Sequence, residues 1–262
     1  MKKITSIQNP FAKFLVSLRD KSKVRKEKNQ FLIEGKREIF LSIQGGYEIE
    51  KILVCFDFFD ISDLKKIPEN LELIEITKEI FEKLSYRKKF DGLLAVANKK
   101  DHKLLNLNIG DNPLVLVVEN IEKPGNIGAI LRTCDAANID AVFIADQGVD
   151  IYNSNVIRSS VGCIFTNQIG IGKSNEIFDY LQRNSINIFT AVLQDNPTSY
   201  HTLDYTGPTA FVLGNETDGL SFFWKNKSVN KIVIPMQGKI DSMNISVSAA
   251  ILVFEAKRQR GF

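Results

Sequence analysis

A chain of 262 residues has room for one large domain or two modest ones. Hydrophobic residues make up 44% of it and charged residues 25%, which is the balance of a globular protein with an ordinary core. No run approaches the ~18 apolar residues of a membrane helix. Residues 1–6 carry two lysines with no apolar run behind them, so they are not expected to be a signal peptide.

The cysteines and histidines limit covalent and metal chemistry. Cys55, Cys134 and Cys163 are widely spaced and odd in number, so neither a disulfide framework nor a zinc cluster is expected, and a reducing cytoplasm is the predicted compartment. A histidine-based metal site or catalytic triad would have to draw on His102 and His201 alone. We therefore expect chemistry without a metal.

Positive charge is concentrated in the first 110 residues, although the net charge is only +3. Residues 1–40 hold 11 Lys and Arg against four Asp and Glu, and residues 81–110 hold seven against three. Residues 111–262 hold 12 against 15. A basic face suits a phosphate backbone, and an ordinary solvated surface is the alternative reading of the same charges.

The first hundred residues predict a small α/β domain behind an N-terminal arm. Residues 1–20 are assigned to the arm, residues 21–100 to the domain and the polar stretch 101–112 to a linker. The pattern predicts helices at 11–19, 36–44 and 80–84, strands at 49–56, 71–76 and 93–97, and a basic stretch at 21–28 that is too charged for a core.

Residues 113–262 predict a second domain with a mostly parallel sheet and helices on both faces. Its first strand, 114–118, is a continuous aliphatic run of the kind buried on both faces of such a sheet. Further strands are predicted at 141–145, 166–169, 186–192, 209–213 and 231–234, and helices at 127–137, 155–161, 176–182 and 246–260.

Three polar, glycine-containing turns follow predicted strands of this sheet, where open parallel sheets bind ligands. In the first, Pro124 and Gly125 make a turn, Asn126 is placed to cap the next helix, and Arg132 follows six residues later. A capped helix with a surface arginine is the alternative. No dinucleotide or P-loop fingerprint is present.

The second turn runs from Gly214 to Ser221, with Glu216 between two glycines that would allow close approach of the backbone to a ligand. A loop that simply starts a helix is the alternative. The third follows Pro235 and leads through Ser242, Asn244, Ser246 and Ser248 into a long helix; capping explains one or two of these four polar groups.

Together these segments resemble, in order and spacing, the three motifs of the SpoU/TrmH family in the SPOUT superfamily of RNA methyltransferases. The residues that match are Asn126, Gly128 and Arg132; Gly214, Glu216 and Gly219; and Ile234–Met236, Gly238 and Ser242–Ser246. The first 35 residues and the small domain resemble the RNA-binding region of family members, so the resemblance covers nearly the whole chain. Met243 stands where the family usually has leucine, a change that packing should tolerate.

The resemblance implies a deep C-terminal trefoil knot, a homodimer, and methyl transfer from S-adenosylmethionine to a ribose 2′-hydroxyl of RNA, with ribosomal RNA favoured over transfer RNA. The knot would involve the segments after Thr190, Leu213 and Ile234. The implied cofactor-binding residues are Thr190, Ala191, Val192, Leu213, Gly214, Ile234, Met243 and Ser248.

The implied catalytic residues are Arg132, Asn126, Glu216, Ser242 and Asn244. Arginine stays protonated in proteins, so orienting the hydroxyl, binding the adjacent phosphate and stabilising a developing alkoxide suit Arg132 better than a base role. Asn126, Ser242 and Asn244 would position Arg132, the ribose and the cofactor, and Glu216 would hold Arg132 or Asn126.

The basic N-terminal third is predicted to grip RNA phosphates. The residues expected to do so are Lys21, Lys23, Arg25, Lys26, Lys28, Lys36 and Arg37. Two alternatives from other classes remain: a non-catalytic RNA-binding or ribosome-assembly factor that keeps the knot, and an unrelated nucleotide-binding α/β enzyme.

Overall fold

Residues 1–68, 70–87, 90–193, 196–227 and 230–262 are described by the structure, a computed structural model. In chain order the elements are β1 (Lys2–Ile4), α1 (Pro10–Asp20), α2 (Ser22–Lys28), β2 (Gln30–Glu34), α3 (Lys36–Gln44), β3 (Ile49–Val54), β4 (Glu72–Ile76), α4 (Lys78–Leu84), β5 (Leu93–Asn98), β6 (Leu114–Glu119), α5 (Pro124–Ala136), β7 (Ala141–Ala145), α6 (Ser154–Ser159), β8 (Ile169–Gly172), α7 (Ser174–Arg183), β9 (Asn187–Ala191), β10 (Thr198–Ser199), β11 (Thr209–Leu213), α8 (Phe222–Lys227), β12 (Asn230–Val233) and α9 (Ile245–Arg260).

The chain forms two compact units that interleave along the sequence. The first comprises residues 1–100 and 150–166, and the second comprises residues 101–149 and 167–262. The consecutive domains expected from the sequence differ from these units at residues 150–166, which are inserted after β7 but pack with the N-terminal hundred. Tyr152 illustrates the packing, because its ring centroid lies 4.3 Å from that of Phe31 in the first unit's core.

The first unit is built on a mixed sheet whose strand order, over the described residues, is β1-β4-β3-β5-β2. β1, β4 and β3 are parallel, whereas β5 runs antiparallel to both of its neighbours, β3 and β2. The core includes Leu15 and Leu18 of α1 and Phe81 of α4, all fully buried. The amphipathic spacing of α1 explains why it folds as the sequence predicts.

The basic stretch at 21–28 contains the helix α2, and Arg25 within it is a structural residue. Its side chain is only 2% exposed, and its Nε donates to Oδ2 of Asp150 at 2.6 Å. Nη1 donates to the backbone carbonyls of Leu18 and Arg19 at 2.9 and 2.8 Å. The prediction that Arg25 grips RNA is therefore corrected, because its charge and donors are used inside the first unit.

We predict that Arg25→Ala destabilises the protein by about 3–5 kcal/mol, because it leaves the Asp150 carboxylate without its partner in a largely buried position. Urea unfolding followed by far-ultraviolet circular dichroism measures the change. Lys23→Ala, which removes a side chain that is 86% exposed, is the matched control and should stay within about 0.5 kcal/mol. Equal stability of both variants would contradict the structural role of Arg25.

The second unit contains a sheet of order β10-β12-β9-β11-β6-β7-β8 over the described residues, and every recorded strand pair in it is parallel. The predicted α/β class with a mostly parallel sheet is confirmed, while the knot stays a prediction. β6, β7 and β11 are buried along their whole length, as their aliphatic sequences require.

One strand was placed wrongly from the sequence. The strand expected at 166–169 lies at Ile169–Gly172, because the preceding residues form turns rather than extended chain. Val161 and Gly162 both have positive φ, and hydrogen bonds such as Phe165 N to Gly162 O close the turns. The same two residues end α6 earlier than predicted. In the described parts of the chain, no helix has the length and apolar character to cross a membrane.

Candidate active site

Three loops leave the carboxyl edge of the second unit's sheet and meet there. The first follows β6 and enters α5, the second follows β11, and the third joins β12 to α9. Since all these strands are parallel, their carboxyl ends share one edge. Residues separated by up to 118 positions in sequence are thereby brought within hydrogen-bond distance.

The Glu216 carboxylate joins the three loops. Its Oε1 accepts from Nδ2 of Asn126 at 2.8 Å and from Nδ2 of Asn244 at 2.7 Å. Its Oε2 pairs with Nζ of Lys123 at 2.6 Å. Asn244 Nδ2 also lies 3.2 Å from Oδ1 of Asn126. One carboxylate therefore holds side chains from the start of α5 and the start of α9, through bonds strengthened by its charge.

Asn126 does not cap its helix as the sequence suggested. α5 begins two residues earlier, at Pro124, with Lys123 in the N-cap position; proline suits the first helical position because its missing N–H would be unpaired there. Asn126 consequently lies inside the first turn, and its amide is directed to Glu216 and Asn244. The third loop does contain a helix cap: Asn244 caps α9, because its Oδ1 accepts from Ser246 N at 2.9 Å.

The sequence interpretation did not single out Lys123, which pairs with Glu216 and lowers the pKa of its carboxyl. Its hydrogen bond to Glu216 is the largest cause that lowers the pKa of that carboxyl below the ordinary 4.5, and the bond from Asn126 lowers it further. Glu216 is therefore ionised throughout the neutral range. A lysine directly before the proline of the first motif was the available signal.

We predict that Lys123→Met raises the pKa of Glu216 back toward 4.5, because the largest stabiliser of its anion is removed. A carboxyl whose pKa is depressed on folding stabilises the fold above its ordinary pKa, and that contribution is lost as the pH falls through the folded-state value. In the variant this contribution is smaller, and its loss is complete at a higher pH because the folded-state pKa is higher. Carboxyl ¹³C NMR titration, assigned with Glu216→Gln, measures the shift; Lys103→Met, whose partner is Asp101, is the control. An unchanged titration would refute the assignment.

The glycines of the second motif serve the loop itself. A Cβ on Gly214 would overlap the backbone of Gly219 and Leu220, and Gly219 has φ of +67°. Asn215 tightens the same turn, because its Oδ1 accepts from the backbone N–H groups of Thr217 and Asp218 at 3.0 and 2.7 Å. The atoms that closely approach Gly214 belong to the loop, while both glycines also line the cavity described below, so their approach to a ligand stays a prediction.

We predict that Gly214→Ala displaces this loop and pulls Glu216 away from Asn126 and Asn244, because the overlap is with backbone that cannot rotate aside. S-adenosylmethionine binding, measured by isothermal titration calorimetry, should weaken at least tenfold. Gly207→Ala is the matched control, since a Cβ there meets open space. Cofactor affinity equal to that of the control would show that the close approach is dispensable.

A cavity of about 410 Å³ opens beside this cluster, which is within the usual range for small-molecule sites. Of the cofactor-binding residues predicted, seven line it: Ala191, Val192, Leu213, Gly214, Ile234, Met243 and Ser248. The eighth, Thr190, is fully buried in β9 and does not line the cavity.

The five predicted catalytic residues fall into three groups. Asn126, Glu216 and Asn244 are joined by hydrogen bonds, as described above. Ser242 lines the cavity, and its Oγ lies 3.3 Å from Oδ1 of Asp241. Arg132 is exposed and, within the described part of the chain, makes no hydrogen bond or ion pair. Of the two partners expected for Glu216, Arg132 or Asn126, it is Asn126 that bonds to it.

Glu119 is a second residue that the sequence interpretation left without a role. It ends β6, is 4% exposed, and its Oε2 accepts from Ser221 N at 2.7 Å, which anchors the far end of the Gly214–Ser221 loop. Its Oε1 lies 3.0 Å from Oγ of Ser174. Glu119 thus fixes the loop that carries Glu216.

The residues other than Arg25 that are predicted to bind RNA differ in solvent exposure and in ion pairing. Lys21, Lys23, Lys26, Lys28 and Arg37 are exposed. Lys36 is half-buried and pairs with Asp63 at 2.5 Å, so part of its charge is neutralised within the first unit.

Residues 113–254 match the model of the SpoU rRNA methylase family, and residues 9–95 match the MRM3-like substrate binding domain. The chain belongs to the SpoU rRNA methylase family. The first match spans all three loops of the site, and the resemblance inferred from the sequence is confirmed.

The similarity of this chain to its relatives extends over nearly its whole length. It is 28% identical over 261 residues to the 23S rRNA (guanosine(2553)-2′-O)-methyltransferase RlmP of Bacillus subtilis, covering 98% of this chain and all of that protein. A crystal structure described as an RNA 2′-O ribose methyltransferase is 36% identical, with a TM-score of 0.85 and coverage of 98% and 99%. The SpoU methyltransferase AviRb of Streptomyces viridochromogenes, in complex with the cofactor AdoMet, shares the fold at 24% identity, with a TM-score of 0.89 and coverage of 97% and 98%.

Proposed function

We propose that this protein transfers a methyl group from S-adenosylmethionine to a ribose 2′-hydroxyl of RNA, and that ribosomal RNA is the substrate. The observation that carries the proposal is the Glu216 cluster beside the cavity, in a chain of the SpoU rRNA methylase family. The full-length relative RlmP acts on 23S rRNA by its name, which favours ribosomal RNA over transfer RNA.

The cavity suits S-adenosylmethionine by size and by lining. Apolar side chains such as Leu213 and Met243 offer faces for an adenine ring. Among the residues described, the N–H and C=O groups of residues 236–243 make no hydrogen bonds to other backbone groups. These groups can therefore bond to a ligand. When bound, the cofactor supplies a methyl group made electrophilic by its sulfonium centre. AviRb, which shares this fold, has been crystallised in complex with the cofactor AdoMet.

Arg132 would act on the RNA side of the reaction. Its exposed guanidinium has donors free for a phosphate and for the 2′-oxygen, and a fixed positive charge stabilises the negative charge that develops on that oxygen. Arginine does not give up its proton readily, so we assign it orientation and charge stabilisation. Asn126 and Asn244, held by Glu216, would fix the ribose and the cofactor's amino-acid end, with Ser242 beside them.

A second copy of the chain is proposed to complete the assembly. Val247 and Phe254 of α9 are 47% and 38% exposed and lie seven residues apart, which places them on one face of the helix. An apolar helix face of this kind supports the homodimer implied by the family resemblance. The cytoplasmic location also stays a proposal, supported by the free cysteines Cys55, Cys134 and Cys163.

We predict that the protein, given S-[methyl-³H]adenosylmethionine and unmodified ribosomal RNA transcripts, places the label in 2′-O-methylnucleosides after digestion to nucleosides. Arg132→Ala should lower transfer at least 100-fold while cofactor affinity stays within twofold, because Arg132 lies outside the cavity. Arg132→Lys should recover little, since an ammonium lacks the planar fork. Full activity of Arg132→Ala would refute its role.

The same assay separates the alternatives. Label on transfer RNA but not on ribosomal RNA would show that transfer RNA is the substrate. RNA binding without cofactor binding would favour a non-catalytic ribosome-assembly factor, and preferential binding of ATP or NAD would favour an unrelated nucleotide-binding enzyme.

A further inference from the structure

Tyr86 is a large aromatic side chain that the first unit leaves in solvent. It is 51% exposed, and its hydroxyl makes no hydrogen bond among the described residues. Aromatic rings of this unit otherwise pack inward, as Phe31 and Tyr47 do at 0% and 7% exposure. The position of Tyr86 is therefore not explained by the core.

The backbone around Tyr86 is held in place. Its N–H donates to Oε2 of Glu34 at 2.8 Å, and the N–H of Arg87 donates to Oε1 at 3.3 Å. Arg87 in turn bonds through Nη2 to Glu38, whose side chain is 1% exposed. The ring is thus presented from an anchored loop, which reduces the entropy lost when a ligand stacks on it.

Arg158 of α6 supplies a cation at the ring. Its Cζ lies 5.2 Å from the ring centroid of Tyr86, and its Nε and Nη2 donate to Oδ1 of Asn155 at 3.3 and 2.8 Å. Within the described residues Arg158 has no carboxylate partner, in contrast to Arg87. Its orientation is fixed by a neutral amide, and its charge remains available to an anion.

An anchored aromatic ring, with one face under a guanidinium that has no carboxylate partner among the described residues and the other face left for a base, matches one ligand chemistry. Unpaired nucleobases stack on aromatic rings and on arginine planes, and the adjacent phosphate binds the guanidinium. A duplex offers no such face, because its bases are already stacked on one another.

The sequence origin of the two residues supports this reading. Tyr86 lies in the segment that matches a substrate binding domain, and Arg158 lies in the segment that matches the methylase. Both belong to the first compact unit, because residues 150–166 pack there. We propose that Tyr86 and Arg158 form a binding site for an unpaired nucleotide of the RNA, with Tyr86 stacking on the base and Arg158 binding its phosphate. The inference rests on the proposed function, whose substrate it narrows to RNA with an unpaired region.

The test uses the full-length protein and two fluorescein-labelled probes, a 12-nucleotide oligoadenylate strand and its duplex with oligouridylate, followed by fluorescence anisotropy. Tyr86→Ala should raise the Kd for the single strand about 5- to 150-fold, the range measured for loss of one stacked base. Tyr86→Phe should bind within twofold of wild type. Neither change should alter the Kd for the duplex.

Arg158→Ala should reduce the slope of log K against log salt for the single strand by about 0.7, the loss of one phosphate contact, whereas Tyr86→Ala should leave the slope unchanged. Lys103→Ala is the control for charge, since it removes an exposed cation that is already paired with Asp101 at 2.8 Å. Thermal melting checks folding, and Tyr86→Leu replaces Tyr86→Ala if the latter is unfolded.

Two outcomes overturn the inference, and a third separates it from the proposed function. Single-strand affinity of Tyr86→Ala equal to wild type defeats the inference alone. A wild type that binds neither probe defeats it together with the RNA-binding part of the proposed function. If wild type binds the single strand through Tyr86 but transfers no methyl group, the proposed function fails and this site stands.

Discussion

The site depends on a single carboxylate that three distant segments share. Glu216 accepts hydrogen bonds from Asn126 and Asn244 and pairs with Lys123. Because the anion carries charge, these bonds are stronger than bonds between neutral groups. They fix the beginning of α5 against the beginning of α9, and they require the tight turn that Gly214, Asn215 and Gly219 form around Glu216.

The parallel sheet makes this convergence possible. β11 lies between β6 and β9, and β12 lies beside β9, so the loops that follow β6, β11 and β12 leave the same edge. Strands buried on both faces have no surface side chains to offer a ligand. Polar chemistry is therefore confined to the loops, and the buried Glu119 transmits the position of β6 to the loop that carries Glu216.

Patterns that report local structure predicted much of the fold. Apolar runs located β6, β7 and β11 within one residue, and the helix at 36–44 was predicted with both ends correct. The errors arose where a distant partner decides. Arg25 looks like one more cation in a basic stretch, but its side chain is buried and pairs with Asp150, which lies 125 residues away in sequence. Residues 150–166 likewise follow a strand of one unit and pack in the other.

Motif spacing predicted which residues gather at the site better than what each one does there. Asn126 looked like a helix cap, whereas the helix begins earlier at Pro124 and frees its amide for Glu216. Glu216, expected to hold Arg132 or Asn126, holds Asn126 and also pairs with Lys123, which motif spacing does not single out. Spacing cannot tell which of Lys123, Asn126 and Arg132 contacts Glu216, because all three lie on one short segment. The contact is decided by where the loop that carries Glu216 lies.

The central claim is that this site modifies RNA at the ribose in the cell. Maps of 2′-O-methylation across cellular RNA, compared between cells with the gene, without it, and complemented with Arg132→Ala, test it directly. The account predicts that a discrete ribosomal RNA position loses its methyl group on deletion, regains it with the wild-type gene and does not regain it with Arg132→Ala. Identical maps in all strains would contradict it.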